Sequence, residues 1–283
     1  MKKKTIAIGT ALMLAASLTA CGKGNNDSGK DASTDKKVSA AEADREKIYQ
    51  VALLQSLTFG DYYGSVSVKE LKEKGDIGIG TFNGLNGELV MVDGVVYRAA
   101  GDGSVEAVAD DETIPFSNVT FLDADETQDI KDVKDFDSLR KILDEKVAEL
   151  GTNRFYMIRI DGNFNTINVR SEYAQKEPYE PLAKVLEHDQ TFFDYEDLKG
   201  TIVGLYCPPY MADLNATGWH LHFVSDDKSK GGHVLDMNIS DAAITWDYTD
   251  GFEMLLPEDE MFVGFDLTIY QSEDIEKVEK KAK

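Results

Sequence analysis

The chain has 283 residues, a formal net charge of −22 and a mean hydropathy of −0.33. So acidic a surface repels phosphate backbones and anionic bilayers, which argues against nucleic-acid binding and against electrostatic adhesion to membranes. The length suits one large core or two closely joined units, and two cysteines in the whole chain cannot make a disulfide framework.

At the N-terminus, Lys2-Lys3-Lys4 precede the apolar stretch Ile6–Leu18. This reads as an export signal, too short to span a membrane permanently. Leu18-Thr19-Ala20-Cys21-Gly22 is similar to the lipobox of bacterial lipoproteins, in which the cysteine is acylated and becomes the new N-terminus. Removal of residues 1–20 deletes three lysines and takes the charge from −22 to −25. Lipid on Cys21 would then be the only membrane contact, at about 0.8 kcal/mol per buried methylene. The expected location is the outer face of the bacterial cytoplasmic membrane. With Cys21 so committed, Cys207 has no disulfide partner. Residues 21–40 lack an apolar run and read as a solvated tether.

Ser39-Ala40-Ala41-Glu42 has the form of a capping box, and Ile48, Val51, Leu54 and Leu57 repeat at helical spacing, which predicts a helix over about 41–57. A second, short helix is signalled by Ser67-Val68-Lys69-Glu70 and stopped by Gly75. Strands follow from Ile77 to Thr81, Glu88 to Val92 and Val95 to Arg98, the last two joined at Asp93-Gly94, a hairpin signal. Asp102-Gly103 marks another turn. Asp135–Leu150 is predicted helical, with Leu139, Ile142, Leu143 and Val147 as its buried stripe and Gly151 as its stop. Strands at Phe155–Ile160 and Ile167–Arg170 and a helix over Tyr179–Leu186 come next. Beyond Gly200 the chain reads as strand: Thr201–Cys207, Gly218–Val224, Val234–Ile239, Ala242–Tyr248, Phe252–Leu256 and Phe262–Leu267. The tail from Ser272 is charged, either helical or disordered. The pattern predicts an α+β fold, with a mixed sheet and helices in the N-terminal half and an antiparallel, β-barrel-like C-terminal half carrying a metal site. The folded domain is expected over 41–283, in two joined halves of about 41–195 and 196–283.

The metal expectation rests on histidines. Three of the four in the chain, His220, His222 and His233, fall within fourteen positions. Residues i and i+2 of a strand project from one face, and the turn-rich run Asp226 to Gly232 can fold back to bring His233 to the same point. A lone strand histidine is ordinarily a hydrogen-bonded polar residue; three that converge form the open imidazole pattern of catalytic zinc. On these residues alone, a zinc enzyme, a zinc hydratase or hydrolase using metal-bound hydroxide, and a metal-capturing lipoprotein of an importer all remain open. Trp219 and Phe223 alternate with the histidines and read as core, Cys207 as a small buried side chain, and His188 as an exposed helix-end residue.

Other stretches narrow the choice. Ile48-Tyr49-Gln50-Val51, the segment Gly75 to Asn83, Leu85-Asn86-Gly87-Glu88-Leu89, Gly200-Thr201-Ile202-Val203-Gly204, and Gly218 to Phe223 with Gly231 to Val234 stand in an order and spacing that resemble the α-acetolactate decarboxylase family, from about Ile48 to the C-terminus. The resemblance implies a zinc enzyme that converts acetolactate to acetoin and CO2 by way of a metal-stabilised enediolate. It implies His220, His222 and His233 as zinc ligands and Thr81, Glu88, Arg170 and Glu279 as further active-site residues, Glu276 being the alternative to Glu279. Arg170 is cast as a carboxylate clamp or hydrogen-bond donor, Glu88 in a buried setting as a proton donor or relay, and Glu279 as a group that closes the site. A homodimer is compatible with the resemblance and not required by it. The chain departs from the family pattern at Ser171-Glu172, where Thr-Val is usual, at Cys207-Pro208-Pro209-Tyr210, and at Asn86 in place of Asp. Glu172 adds a charge able to retune Arg170. The residues by themselves also admit plainer roles: Glu88 at a strand edge, Arg170 in an ordinary ion pair, Glu279 in a solvated tail.

Overall fold

Alternation of buried side chains along strands organises the molecule, as seen in a computed structural model that describes residues 45–269. The export leader, Cys21, the tether, the Ser39–Glu42 box and the tail glutamates Glu276 and Glu279 lie outside the described residues. In chain order the elements are β1 (Lys47–Val51), α1 (Leu54–Thr58), β2 (Val66–Ser67), α2 (Val68–Lys72), β3 (Ile77–Thr81), β4 (Glu88–Val92), β5 (Val95–Ala99), β6 (Val105–Ala107), β7 (Thr113–Ile114) and β8 (Phe116–Thr120). They continue with β9 (Glu126–Val133), α3 (Phe136–Leu150), β10 (Phe155–Glu172), α4 (Leu182–His188), β11 (Gln190–Cys207), β12 (Gly218–Ser225), β13 (Gly231–Thr249), β14 (Gly251–Leu255) and α5 (Glu260–Gly264).

The chain is thus mostly sheet with a few helices. One seven-stranded sheet has the order β14-β1-β8-β3-β4-β5-β6 and is mixed, because β1 runs parallel to β14 and antiparallel to β8. The second sheet contains β10, β11, β12, β13 and β9, all antiparallel. An additional β10–β13 pairing closes β10, β11, β12 and β13 into a ring of ladders. The position 195/196 falls inside the continuous strand β11.

The two sheets pack against each other through Ile48, Ile77, Ile79, Val90 and Val92 from the first and Phe155, Met157, Val203, Leu205 and Val224 from the second. Each side chain of this kind is worth about 1.5–3 kcal/mol when fully buried. Intervening residues face outward on both sides. Tyr49, Leu89, Met91 and Val119 of the first sheet pack with Val68 and Leu71 of α2. Tyr156, Ile158, Ile160, Leu221 and Phe223 of the second pack with Leu139, Leu143 and Val147 of α3. The predicted stripe of α3 is therefore its buried face, with Ile142 at the margin.

Several expected elements form as read. Ser67 caps α2, its hydroxyl accepting from the Glu70 amide at 3.2 Å while Glu70 Oε2 accepts from the Ser67 amide at 2.9 Å. Asp93 and Gly94 both take positive φ (51° and 74°), as a two-residue hairpin requires. Asp135 caps α3 by accepting from the Ser138 amide at 2.8 Å.

Two expectations are corrected. Among the described residues of the predicted helix 41–57, Leu54 onward to Thr58 is helical and Lys47–Val51 is a strand between β14 and β8. Ile48-Tyr49-Gln50-Val51 is buried on both faces, and such a run looks like a helical stripe until its pairing partners are known. Gln50 is accommodated because its amide donates to the Ala52 and Leu214 carbonyls and accepts from Asn215. The predicted strand Phe262–Leu267 is replaced by α5, started by Asp259, whose carboxylate accepts from the Phe262 amide at 2.9 Å. Strands expected as separate pieces are continuous in β10 and in β13, and the strands between Val105 and Val133 are additional to those expected.

Asp247, on β13, is a buried carboxylate away from the histidines. Burial, with the charges of Glu46 and Asp125 adding to it, pushes its pKa up to about 7, against the opposing hydrogen bond from the Asp123 amide. Its contribution to stability is therefore complete below the ordinary value of 3.8 and is lost as pH rises through about 7. In urea titrations between pH 5 and pH 8, the native midpoint should fall more steeply with pH than that of Asp247→Asn. Parallel slopes would show that the carboxyl is not perturbed.

Candidate active site

At one end the interface between the sheets changes from apolar to polar without changing face. On β3 the inward series Ile77, Ile79 continues to Thr81; on β4, Val92 and Val90 lead back to Glu88; on β12, Val224 leads back to His222 and His220. Period-two geometry places each of these polar groups on the same face as its apolar predecessors. Thr81 and Glu88 are direct cross-strand partners.

Register supplies the rest. Arg170 of β10 lies opposite His233 of β13, and His233 lies opposite His222 of β12. Directly paired residues hold their Cβ atoms about 4.5–5.5 Å apart on one face, so Arg170, His233 and His222 stand in a row across three strands. Register shifts in β10 between Asn163 and Thr166 change the phase of its alternation. Val169 therefore points into the α3 side of the core, and Arg170 and Glu172 point into the cavity.

All three imidazoles are buried, at 7%, 1% and 3% exposure. His220 Nε2 is 2.9 Å from His222 Nε2 and 3.1 Å from His233 Nδ1. The Nδ1 of His222 meets the Leu89 carbonyl at 2.7 Å, which assigns its proton to Nδ1 and turns the Nε2 lone pair toward the other two rings. Burial first, and Arg170 second, push the His220 imidazole down to about 3. Burial and the neighbouring His220 hold His222 well below its usual value, outweighing the Leu89 hydrogen bond. His220 and His222 are thus neutral at physiological pH, the form that ligates metals. Three ligand atoms within 4.8 Å of one another can hold one ion. A tetrahedral centre with metal–nitrogen bonds of about 2.0–2.1 Å would set neighbouring nitrogens roughly 3.3 Å apart, close to the spacing present.

Glu88 reaches the same point, with Oε2 3.3 Å from His222 Nε2. The Thr81 hydroxyl donates to the Gly87 carbonyl at 2.8 Å and so braces the turn that leads into Glu88. These residues line a small cavity at the polar end of the interface between the sheets. Its other wall is apolar: Leu54 and Leu57 from α1, Leu182 and Leu186 from α4, with Leu85 and Phe116. Of the residues expected at the site, the structure gathers Thr81, Glu88, Arg170 and the three histidines; Glu279 and Glu276 lie outside the described residues. The leucine wall has no signature in the sequence, because helical spacing alone does not distinguish a core face from a cavity face. Cys207 is buried, with its thiol pushed up to about 12 by burial, and His188 is exposed at the end of α4.

A family model described as alpha-acetolactate decarboxylase matches residues 48–269. The chain belongs to that family. It is similar to the alpha-acetolactate decarboxylase of Methanosarcina mazei, at 39% identity over 233 residues, 82% of this chain and 80% of that one. It is also similar to the enzyme of Bacillus subtilis strain 168, at 34% identity over 78% of this chain and 86% of the relative. The crystal structure of the B. subtilis decarboxylase superposes with a TM-score of 0.80, covering 83% of this chain and all of that one. A Staphylococcus aureus structure described as similar to alpha-acetolactate decarboxylase gives 0.76 at 28% identity, covering 82% of this chain and 97% of that one. Family and relatives place the chain among enzymes of the carboxy-lyase class, and neither an importer subunit nor a zinc hydratase is favoured.

Gly232 sets the approach of β13 to β10. Its φ is 144°, and a Cβ there would fall 2.6 Å from the Arg170 carbonyl oxygen. Gly232→Ala must therefore push β13 away from Arg170 and Val169 of β10 and displace His233 with it. Metal affinity measured by competition with a chromogenic chelator should drop by about 10–100-fold, the range for groups that orient a ligand, with the far-UV spectrum unchanged. Native affinity in this variant would show that His233 is not a ligand.

Proposed function

We propose that this chain decarboxylates 2-acetolactate to acetoin and CO2 with zinc held by His220, His222 and His233. The observation that carries the reading is the meeting of three buried imidazoles, a carboxylate and a guanidinium around one cavity. Neutral imidazole sets of this kind favour late first-row divalent ions, and zinc is the member without redox chemistry. Bound there, zinc would supply a Lewis acid for the negative charge displaced when the carboxylate leaves.

The chain's own groups account for the remaining requirements. Arg170 is charged at every accessible pH and suits the substrate carboxylate. The leucines of α1 and α4 and the Phe116 ring give the methyl groups an apolar wall and keep water from the reacting carbon. When the carbon–carbon bond breaks, CO2 departs neutral and the electron pair remains with the substrate, conjugated with its ketone. One proton must then reach carbon from a fixed side, which sets the handedness of the product. Glu88, buried and 3.3 Å from a histidine nitrogen, is the group assigned to donate or relay that proton. Thr81 acts through Gly87, holding the backbone from which Glu88 projects. Glu279 is retained as a tail carboxylate that closes the site, with Glu276 as the alternative.

CO2 and acetoin release from acetolactate should be abolished by a chelator and restored by zinc. A folded, zinc-replete sample that yields no product overturns the reading. Glu88→Gln and Arg170→Lys should each lower turnover by about 100-fold or more, the scale of a lost acid–base or clamping group, with zinc content unchanged. Zinc loss in either would assign that residue a structural role.

The same proposal includes export and a lipid anchor on Cys21, supported by the sequence pattern of residues 1–22. Cys21→Ala should move the protein from the membrane fraction to the soluble exported fraction. Equal partition of both forms would remove the anchor from the account.

A further inference from the structure

Glu172 stands two residues beyond Arg170 on β10, so both side chains leave the strand on one face and both line the active-site cavity. Their side chains are 4% and 8% exposed, and Glu172 Oε1 lies 3.9 Å from Arg170 Nε. Little water screens this pair, so each charge feels the other more than a surface pair would. The backbone between and after them is pinned: the Ser171 hydroxyl donates to the Ala99 carbonyl at 2.6 Å, and the Tyr173 amide donates to the Asp189 carbonyl at 3.0 Å. Among the described residues, Arg170 is the cation that Glu172 meets. A buried carboxylate is unfavourable for stability compared with an apolar side chain of equal size, so folding alone gives no reason for a glutamate here.

We propose that Glu172 is a positioning residue that acts on the Arg170 guanidinium by offsetting part of its charge, so that the substrate carboxylate is gripped loosely enough to leave. The proposal rests on the decarboxylase reading above. In that reaction the bond to the carboxylate carbon breaks, CO2 departs without charge, the electron pair stays on the substrate and a proton later fills the vacated position. The negative charge that Arg170 holds in the bound substrate is no longer at that place in the transition state. Stronger attraction between Arg170 and the carboxylate therefore stabilises the ground state more than the transition state and slows the chemical step. By weakening that attraction, Glu172 raises KM and kcat together.

Glu172→Gln keeps the shape and removes the charge. Steady-state kinetics of the zinc-replete variant should show KM and kcat both lowered, each by roughly tenfold, within the range for coupled charges in contact. The inhibition constant of 2-hydroxyisobutyrate, a hydroxy acid that cannot follow the reaction, should fall as well, whereas that of neutral 2,3-butanediol should not. Glu172→Asp, with the charge withdrawn by one methylene, should lie between the two and decides the matter alone if the glutamine variant does not fold. A KM that rises or stays put, a kcat that rises, or equal tightening of both inhibitors overturns the proposal. Native enzyme that releases no CO2 from acetolactate overturns the decarboxylase reading and this proposal with it; native turnover with a wrongly directed KM overturns this proposal alone.

Discussion

The apposition of two sheets, with side chains alternating across it, is the constraint on which the site depends. The same inward face that carries Ile77, Ile79, Val90, Val92 and Val224 carries Thr81, Glu88, His220 and His222 a few residues further along the same strands. The apolar part of the interface fixes the distance between sheets at the distance that side chains fill. The polar part inherits that distance. Histidines from one sheet and a glutamate from the other then meet within 3.3 Å with no loop required to place them. Sites built on strands are more rigid than sites built on loops, and a tautomer assigned by a backbone carbonyl, Leu89 of the opposing sheet, extends that rigidity to the ring nitrogen.

Such a site taxes stability, and the surroundings show where the compensation lies. Three imidazoles, two carboxylates and a guanidinium are withdrawn from water at one end of the interface. Neutrality of His220 and His222 removes part of the penalty, and the pairing of Arg170 with Glu172 removes more. The rest is offset by uninterrupted cores on three sides: the inter-sheet cluster, the α3 face of the second sheet and the α2 face of the first. A second buried polar group follows the same rule, with Asn215 donating to both Gln50 and Asn118 at 2.8 Å and so tying the segment before β12 to β1 and β8.

How much of this was legible in the sequence depended on whether a signal was local. His220 and His222 obey strand periodicity, the intervening turn is rich in turn formers, and the pair His222–His233 follows from the resulting hairpin. The capping box at Ser67 and the hairpin at Asp93-Gly94 are equally local and equally faithful. Ile48 to Val51 misled because burial on both faces erases the alternation that marks a strand, and the pairing partners β8 and β14 both lie far along the chain. The direction of Arg170 was not readable from periodicity for another reason: register shifts in β10 reset the phase between Phe155 and Val169, and a shift of one residue reverses every side chain beyond it. Its place at the site was reached through family resemblance, whose motifs span the elements that local signals cannot connect. The leucines of α1 and α4 face a cavity rather than a core only because the two helices converge there, which no single helical stripe encodes.

The acidity of the chain raises a final question, since its proposed substrate is an anion and the formal charge is −22. Distance settles it. At physiological ionic strength fields from exposed carboxylates fade over about 8 Å, whereas the groups that line the cavity are buried and screened little. An anion at the mouth of the cavity therefore responds to Arg170 and to the cation proposed for the three imidazoles more than to the surface as a whole. Net charge then governs solubility and the avoidance of polyanions, and the local arrangement governs binding. On this view the carboxylates that matter to the substrate are the two inside the cavity. Glu88 lies beside the His222 ring and Glu172 beside the Arg170 guanidinium, so on the proposed reading Glu88 serves the proton and Glu172 limits how firmly the enzyme holds the charge that must depart.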